Sequence, residues 1–124
     1  MTQHAGLTLE RWRSFDRHRQ VLMIANEMHR GSRLLGEPEA LERCYERVLR
    51  LADLTAQCDH RATFRREILR WRDGVAELYL AARAANGSED PPPAGGPSSD
   101  HAALLGCLLL LSPEAARQRE FVLC

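Results

Sequence analysis

Residues 38–58, PEALERCYERVLRLADLTAQC, decide the fold because their apolar side chains recur with the period of an α-helix. Successive members stand alternately three and four residues apart, which places them on one side of a helix. Pro38 suits a first helical position, and the preceding Gly36 suits the end of an earlier helix. The pattern predicts an amphipathic helix whose apolar stripe is Leu41, Cys44, Val48, Leu51, Thr55 and Cys58.

A second stripe of the same period follows in residues 60–86, and it consists of Phe64, Ile68, Trp71, Val75, Leu78 and Ala82. Asp59 can cap the start of this helix, and Asn86-Gly87 can end it. Because the connection to the preceding helix is very short, the two helices should lie side by side in opposite directions. The two stripes therefore predict an antiparallel pair of helices.

The first predicted helix, about residues 8–35, has an apolar face that changes sides along its length. One group points in one direction: Trp12, Phe15 and Leu22. The other group can complete an antiparallel bundle of three long helices: Val21, Ile24, Ala25, Met28 and Leu35. Trp12 and Phe15 must then be covered either by the C-terminal segment or by a second subunit. The third possibility is that the helix is kinked near Val21. We predict Trp12, Phe15 and Leu22 as partner-binding residues.

The last third of the chain begins with a predicted linker. Residues 87–100, GSEDPPPAGGPSSD, separate a helical core, residues 1–86, from an apolar segment, residues 101–124, within a single domain overall. This segment should be helical over about 101–123, and residues 102–111 are apolar on all sides. A short helix of this kind must be buried between helices or at a subunit interface. We therefore predict a homodimer.

The charges are balanced, since the chain has 17 arginines and 17 acidic residues and no lysine. Binding to nucleic acid or to a membrane surface is therefore disfavoured. Five arginines cluster in residues 61–72 of the predicted 60–86 helix, but nearby acidic residues dilute their charge: Arg61, Arg65, Arg66, Arg70 and Arg72 against Glu67, Asp73 and Glu77. The first residues show no basic-then-apolar leader, so the expected compartment is the cytoplasm.

A polar cluster is predicted beside the apolar stripe of the first helix, and it consists of Asn26, Glu27, His29 and Arg30. Its role can be structural. The chain has no Glu-x-x-His, HExxH or CxxC motif, so no metal site and no cofactor are expected from spacing within one helix. A metal site could form only across helices, with Glu27 and His29 as candidate ligands.

One pattern suggests catalysis. Arg13 and His18 match Arg-x4-His, and this resembles helical ribonucleases of the HEPN type. The resemblance implies that an Arg and a His on one helix act on an RNA phosphodiester, which makes these two residues candidate catalytic groups. This enzyme stands as the alternative to the interpretation that we favour. That interpretation is a non-catalytic interaction or regulatory protein, an adaptor or small chaperone that presents a groove to a helical partner.

Overall fold

The computed structural model describes residues 8–58, 61–87, 96–113 and 117. They form five helices, and no strand occurs among them. The helices are α1 (Leu9–Arg13), α2 (Arg17–Gly31), α3 (Pro38–Ala56), α4 (Ala62–Asn86) and α5 (Gly96–Leu110). The prediction of an all-α fold is confirmed. No helix of this described part is both long enough and apolar enough to cross a bilayer.

Helices α3 and α4 follow the two predicted stripes, and every stripe residue is buried. Pro38 occupies the first turn of α3 as expected. Asn86 donates to Glu42 near one end of the pair, and the Arg65 guanidinium donates to the Cys58 carbonyl near the other. Because the later residue of α4 meets the earlier residue of α3, the two helices run antiparallel.

The predicted single helix over residues 8–35 is divided in the structure. Helix α1 ends at Arg13, and α2 begins at Arg17 with the Asp16 side chain accepting a hydrogen bond from the Arg19 N–H at 3.1 Å. The break lies at residues 14–16, upstream of the kink considered near Val21, and α2 ends at Gly31 rather than near residue 35. Ser14 and Asp16 are residues that favour helix ends, which explains why the chain breaks there.

Helix α5 packs against both α2 and α4. Leu105, Leu108 and Leu109 are buried on its inner side. The Trp71 indole N–H of α4 donates to the Leu104 carbonyl of α5 at 2.7 Å. Gly74 permits this contact, because a Cβ added there would lie 2.8 Å from a Leu104 methyl carbon. Helices α2, α3, α4 and α5 thus surround a shared core.

The boundaries of the C-terminal region differ from the prediction. Helix α5 begins at Gly96, so residues 96–100 of the expected linker are helical. The helix ends at Leu110, and Leu111 and Ser112 follow as a turn. The continuation predicted through residue 123 falls almost entirely outside the described residues, as does the rest of the expected linker, residues 88–95.

Candidate functional site

Trp12, the first predicted partner-binding residue, lies in the chain's own core with 0% of its surface exposed. Its indole N–H donates to the Thr55 hydroxyl of α3 at 2.9 Å. Gln20 closes the same junction, because its side-chain amide donates to the carbonyls of Trp12 and Phe15 at 2.9 and 3.0 Å. Trp12 is therefore covered by α3 and is not available to a partner in this conformation.

The other two predicted partner-binding residues, Phe15 and Leu22, are half-buried against the core. The Phe15 ring meets the Trp12 ring edge to face, with 5.9 Å between the ring centroids. The Arg19 guanidinium lies over the Phe15 ring at 5.3 Å from its centroid. Since Arg19 and Trp12 both occupy the surface of Phe15, this aromatic residue contributes to packing at the helix break.

The two candidate catalytic residues lie on different helices. Arg13 is the last residue of α1, and His18 is the second residue of α2. His18 Nδ1 lies 3.1 Å from the carboxylate of Asp16, the N-cap of its own helix. The HEPN pattern needs Arg and His on one helix, and the break at residues 14–16 removes that shared face.

Of the predicted polar cluster, Glu27 and Arg30 take part in ion pairs, and one of these pairs links α2 to α3. The Glu27 carboxylate is buried and lies 3.1 Å from the Arg30 guanidinium and 3.5 Å from that of Arg47. Asn26 is half-buried, and its side-chain oxygen has no hydrogen-bond partner among the described residues. His29 forms no ion pair with Glu27 in this part of the chain. Arg47, which the sequence argument missed, supplies the second positive charge from the neighbouring helix.

A metal site across helices finds no support in the described residues. Nowhere in residues 8–58, 61–87 and 96–113 do three His, Cys, Asp or Glu side chains gather closely enough to hold an ion. Glu27 is engaged by two arginines, which leaves the predicted pair of Glu27 and His29 without a third ligand.

A buried polar contact joins α5 to α2 and α3 through His101, which is 1% exposed. His101 Nε2 lies 2.7 Å from the Met28 carbonyl, and Nδ1 lies 2.7 Å from the Tyr45 hydroxyl. A carbonyl can only accept, so Nε2 carries the proton. Burial lowers the pKa of His101 and so favours the neutral ring, whose Nδ1 accepts from the Tyr45 hydroxyl. Gly31 makes room for the ring, since a Cβ there would lie 2.9 Å from His101 Cε1.

Burial keeps the titratable groups around His101 uncharged. It raises the pKa of the Cys44 thiol from 9.0 to about 11, and the nearby Glu27 carboxylate adds to this shift. Burial likewise raises the pKa of Tyr45 and lowers the pKa of His101, the latter against an opposing effect of the Met28 carbonyl. The Cys44 thiol stays protonated, which makes it a poor nucleophile. Both nitrogens of His101 are engaged in hydrogen bonds, so the ring is unsuited to acid-base chemistry. We conclude that this cluster has a structural role.

The lowered pKa of His101 predicts that the protein loses stability in mild acid. His101 is neutral in the folded protein, whereas in the unfolded chain it binds a proton as the pH falls through its ordinary value of 6.5. The stabilisation is complete above that pH and declines toward the lower folded pKa. We expect urea denaturation to show a smaller free energy of unfolding near about pH 5.5 than near about pH 7.5.

The matched control for this pH effect is His101→Gln, which keeps a donor and an acceptor but does not titrate in this range. The difference between the free energies of unfolding at the two pH values should be smaller in the variant than in the wild-type protein. An equal pH dependence in both proteins would show that His101 does not cause it.

The side of α5 that faces away from α2 and α4 is apolar and exposed. Its residues, hereafter the open face of α5, are Ala102, Ala103, Gly106, Cys107 and Leu110. Leu110 is 81% exposed, and no charged side chain occurs in residues 102–111. A Cβ added at Gly106 would meet no atom within 4 Å, so the chain's own packing does not require this glycine. Sequence reasoning expected burial on all sides, and the structure leaves this side uncovered by the described residues.

A shallow cleft of about 480 Å³ lies along α3, and its lining is Glu46, Leu49, Arg50, Asp53, Leu54, Gln57 and Tyr79. Its two carboxylates are already engaged. The Tyr79 hydroxyl donates to Glu46 at 3.3 Å, and the Arg72 guanidinium donates to Asp53 at 2.6 Å. The cleft therefore offers mixed polar surface with few free groups, in contrast to the uniform open face of α5.

Comparison with protein-family models, with curated proteins and with solved structures finds no match for this chain.

Proposed function

We propose that this chain is a non-catalytic interaction protein of the cytoplasm that forms a homodimer through the open face of α5. The observation that carries the proposal is the exposure of Leu110 at the end of an uncharged helix surface. An isologous dimer brings the same surface of two chains together, and an uncharged apolar strip is complementary to itself. In the dimer, Leu110 and Cys107 would be removed from water.

Gly106 supports a close approach of two such helices. A glycine inside a helix lowers the stability of the fold by about 1 kcal/mol relative to Ala. At an exposed position no close contact within the same chain compensates for this loss. Gly31 and Gly74 each have a neighbouring side chain in the space that a Cβ would occupy, whereas Gly106 has none. A partner helix that crosses at Gly106 would use this space, with Ala102 and Ala103 allowing a small separation between the backbones.

The adaptor or regulatory role rests on the same surface. Dimerisation would leave the sides of α3 and α4 that do not contact α5 accessible, including the cleft beside Tyr79. A helical partner could bind there by the helix-in-groove mode. The RNA-cleaving and metal-binding alternatives have no comparable support, because their candidate residues lie on separate helices or are held in ion pairs.

The dimer predicts twice the 14.0 kDa chain mass in sedimentation equilibrium at micromolar concentration. Leu110→Glu should give the mass of a single chain, since it places a charge within an apolar contact. Leu80→Glu is the matched control, because Leu80 is also an exposed leucine, 61% exposed, but lies on α4. This variant should remain dimeric.

Gly106→Leu separates the dimer contact from folding. Within one chain the new side chain has open space and a better helix propensity than glycine, so the isolated fold should be at least as stable. In the dimer it would hold the helices apart and weaken association. A wild-type chain that is monomeric at micromolar concentration, or dimers unaffected by both Leu110→Glu and Gly106→Leu, would contradict this interface.

A further inference from the structure

The balanced charge of the chain conceals an uneven distribution of charge along its sequence. Residues 8–20 and 50–72 contain ten arginines and five acidic residues, whereas the remainder contains seven arginines and 12 acidic residues. These two stretches are distant in sequence. The fold brings them together at one end of the helices, which we call the basic end.

Three contacts assemble the basic end. The Arg17 guanidinium of α2 lies over the Phe64 ring of α4, 5.3 Å from its centroid. Gln20 of α2 reaches Cys58 after α3 with 3.6 Å between the side-chain nitrogen and the sulfur, and Arg65 of α4 donates to the carbonyl of the same cysteine at 3.2 Å. Helices α2 and α4 begin here and α1 and α3 end here, so the helix dipoles oppose one another and the arginines supply the positive potential.

Several arginines are already neutralised by a carboxylate within 4 Å. Toward the opposite end these are Arg30, Arg43 and Arg47, paired with Glu27 or Glu39, and in the basic stretch they are Arg70 and Arg72, paired with Glu67 and Asp53. Within the described residues, the exposed arginines of the basic end that form no ion pair are Arg11, Arg13, Arg17, Arg19, Arg61, Arg65 and Arg66. The nearby Asp16 carboxylate is occupied by the α2 cap and by His18. The basic end therefore presents several exposed guanidinium groups with no carboxylate partner in the described part of the chain.

We propose that the basic end binds the phosphate backbone of nucleic acid without preference for base sequence. Guanidinium groups match phosphate oxygens in a bidentate geometry, and several of them at one end of the molecule suit a chain of phosphates. Arg61 and Arg65 stand one helical turn apart, about 6 Å along the axis, as do Arg66 and Arg70.

The aromatic residues of the basic end explain why the contact is to phosphates. Trp12 and Phe64 are buried, and the half-buried Phe15 ring is already in contact with Trp12 and Arg19, so these rings are not presented for stacking on a base or insertion into a bilayer. Contact with the backbone carries no sequence information directly. This activity goes beyond the proposed dimer and does not depend on it, because the open face of α5 lies on a different helix from all of these arginines.

The test measures binding of the full chain to a fluorescent RNA of about 20 nucleotides and to a DNA duplex of about 20 base pairs, each of two unrelated sequences, by fluorescence anisotropy. We expect equal affinity for the two sequences of each probe. Between 50 and 200 mM salt the affinity for the duplex should fall about 100- to 500-fold if roughly four or five phosphates are neutralised. No binding at the lower salt, or binding that does not change with salt, would overturn the proposal.

The decisive variant is Arg61→Glu combined with Arg66→Glu, which should weaken duplex binding by about tenfold or more and reduce the salt slope by about two. Both side chains are exposed and make no described contact, so the fold should be retained, as circular dichroism can verify. Arg33→Glu combined with Arg83→Glu is the matched control. It changes the net charge equally but at the opposite end, and it should have a much smaller effect.

Two further outcomes count against the proposal. If both pairs of substitutions weaken binding equally, net charge and not the basic end governs the interaction. If vesicles of phosphatidylcholine with phosphatidylserine bind the protein while both nucleic acids do not, the basic end is a membrane-binding surface. Loss of nucleic-acid binding in a chain that still dimerises would separate this proposal from the homodimer.

Discussion

Trp12→Ala is expected to lower the free energy of unfolding by about 3–5 kcal/mol, as is typical when a buried Trp is truncated. Trp12 has 0% of its surface exposed, and its indole N–H donates to Thr55 at 2.9 Å. The substitution removes the side chain that joins α1 to α3 and leaves a cavity beside the helix break. Because a domain of this size is stable by about 5–15 kcal/mol, the loss is a large fraction of the total. Urea denaturation followed by far-UV circular dichroism measures it.

Two control variants separate the causes of this loss. Trp12→Phe keeps an aromatic ring in the core but removes the N–H donor, so its cost should be smaller, about 1–3 kcal/mol. Leu80→Ala removes an exposed leucine of α4 and should change stability by less than about 0.5 kcal/mol. If Trp12→Ala lowers the free energy of unfolding no more than Leu80→Ala does, Trp12 does not belong to the core. The prediction that it binds a partner would then stand again.

The sequence predicted α3 and α4 well because each has a single continuous partner surface. Every residue of the two stripes is buried, and the helix bounds agree with the prediction to within two residues at each end. A stripe of period 3.6 reports on burial directly when one face of a helix is covered along its whole length. Pro38 and the Asn86-Gly87 pair supplied the remaining signals for where these helices begin and end.

The first helix was predicted with the wrong continuity, although the sequence contained the signal for the break. On a continuous helix Trp12 and Val21 point to different sides, which is consistent with a helix that has two partners or with a kink near Val21. In the structure, α1 and α2 are separate helices, so each can direct its apolar side chains to the same core. The capping side chain of Asp16 provided the local evidence. The buried role of Gln20 depends on the resulting turn and could not be predicted before the turn was known.

The surfaces proposed here depend on long-range placement that periodicity does not report. Arg17 and Phe64 are 47 positions apart in sequence and yet form one contact at the basic end. Charge counted over the whole chain gave zero and led to the expectation that nucleic-acid binding is disfavoured. The open face of α5 was likewise hidden, because a helix with apolar residues on all sides does not reveal which side the rest of the chain covers.

His101 is the polar residue that begins the apolar run of α5, and His101→Leu is expected to lower the free energy of unfolding by roughly 1–3 kcal/mol. Leucine fills much of the same space but leaves the Tyr45 hydroxyl buried without its acceptor. It also removes the N–H that reaches the Met28 carbonyl at 2.7 Å, which ties α5 to α2. Urea denaturation at neutral pH measures the effect, and the acid-dependent loss of stability should shrink together with it.

The double variant His101→Leu with Tyr45→Phe tests whether the loss comes from an unsatisfied polar group or from poor packing. Replacing both partners of a buried hydrogen bond by apolar groups of similar shape can be nearly neutral, so the double variant should be more stable than His101→Leu alone. The expected coupling between the two sites is about 0.5–3 kcal/mol. Additive losses in the cycle would mean that His101 and Tyr45 contribute separately. In that case α5 would be held against α2 and α4 by the burial of its apolar side chains, such as Leu105 and Leu108, and not by the hydrogen bond to Tyr45.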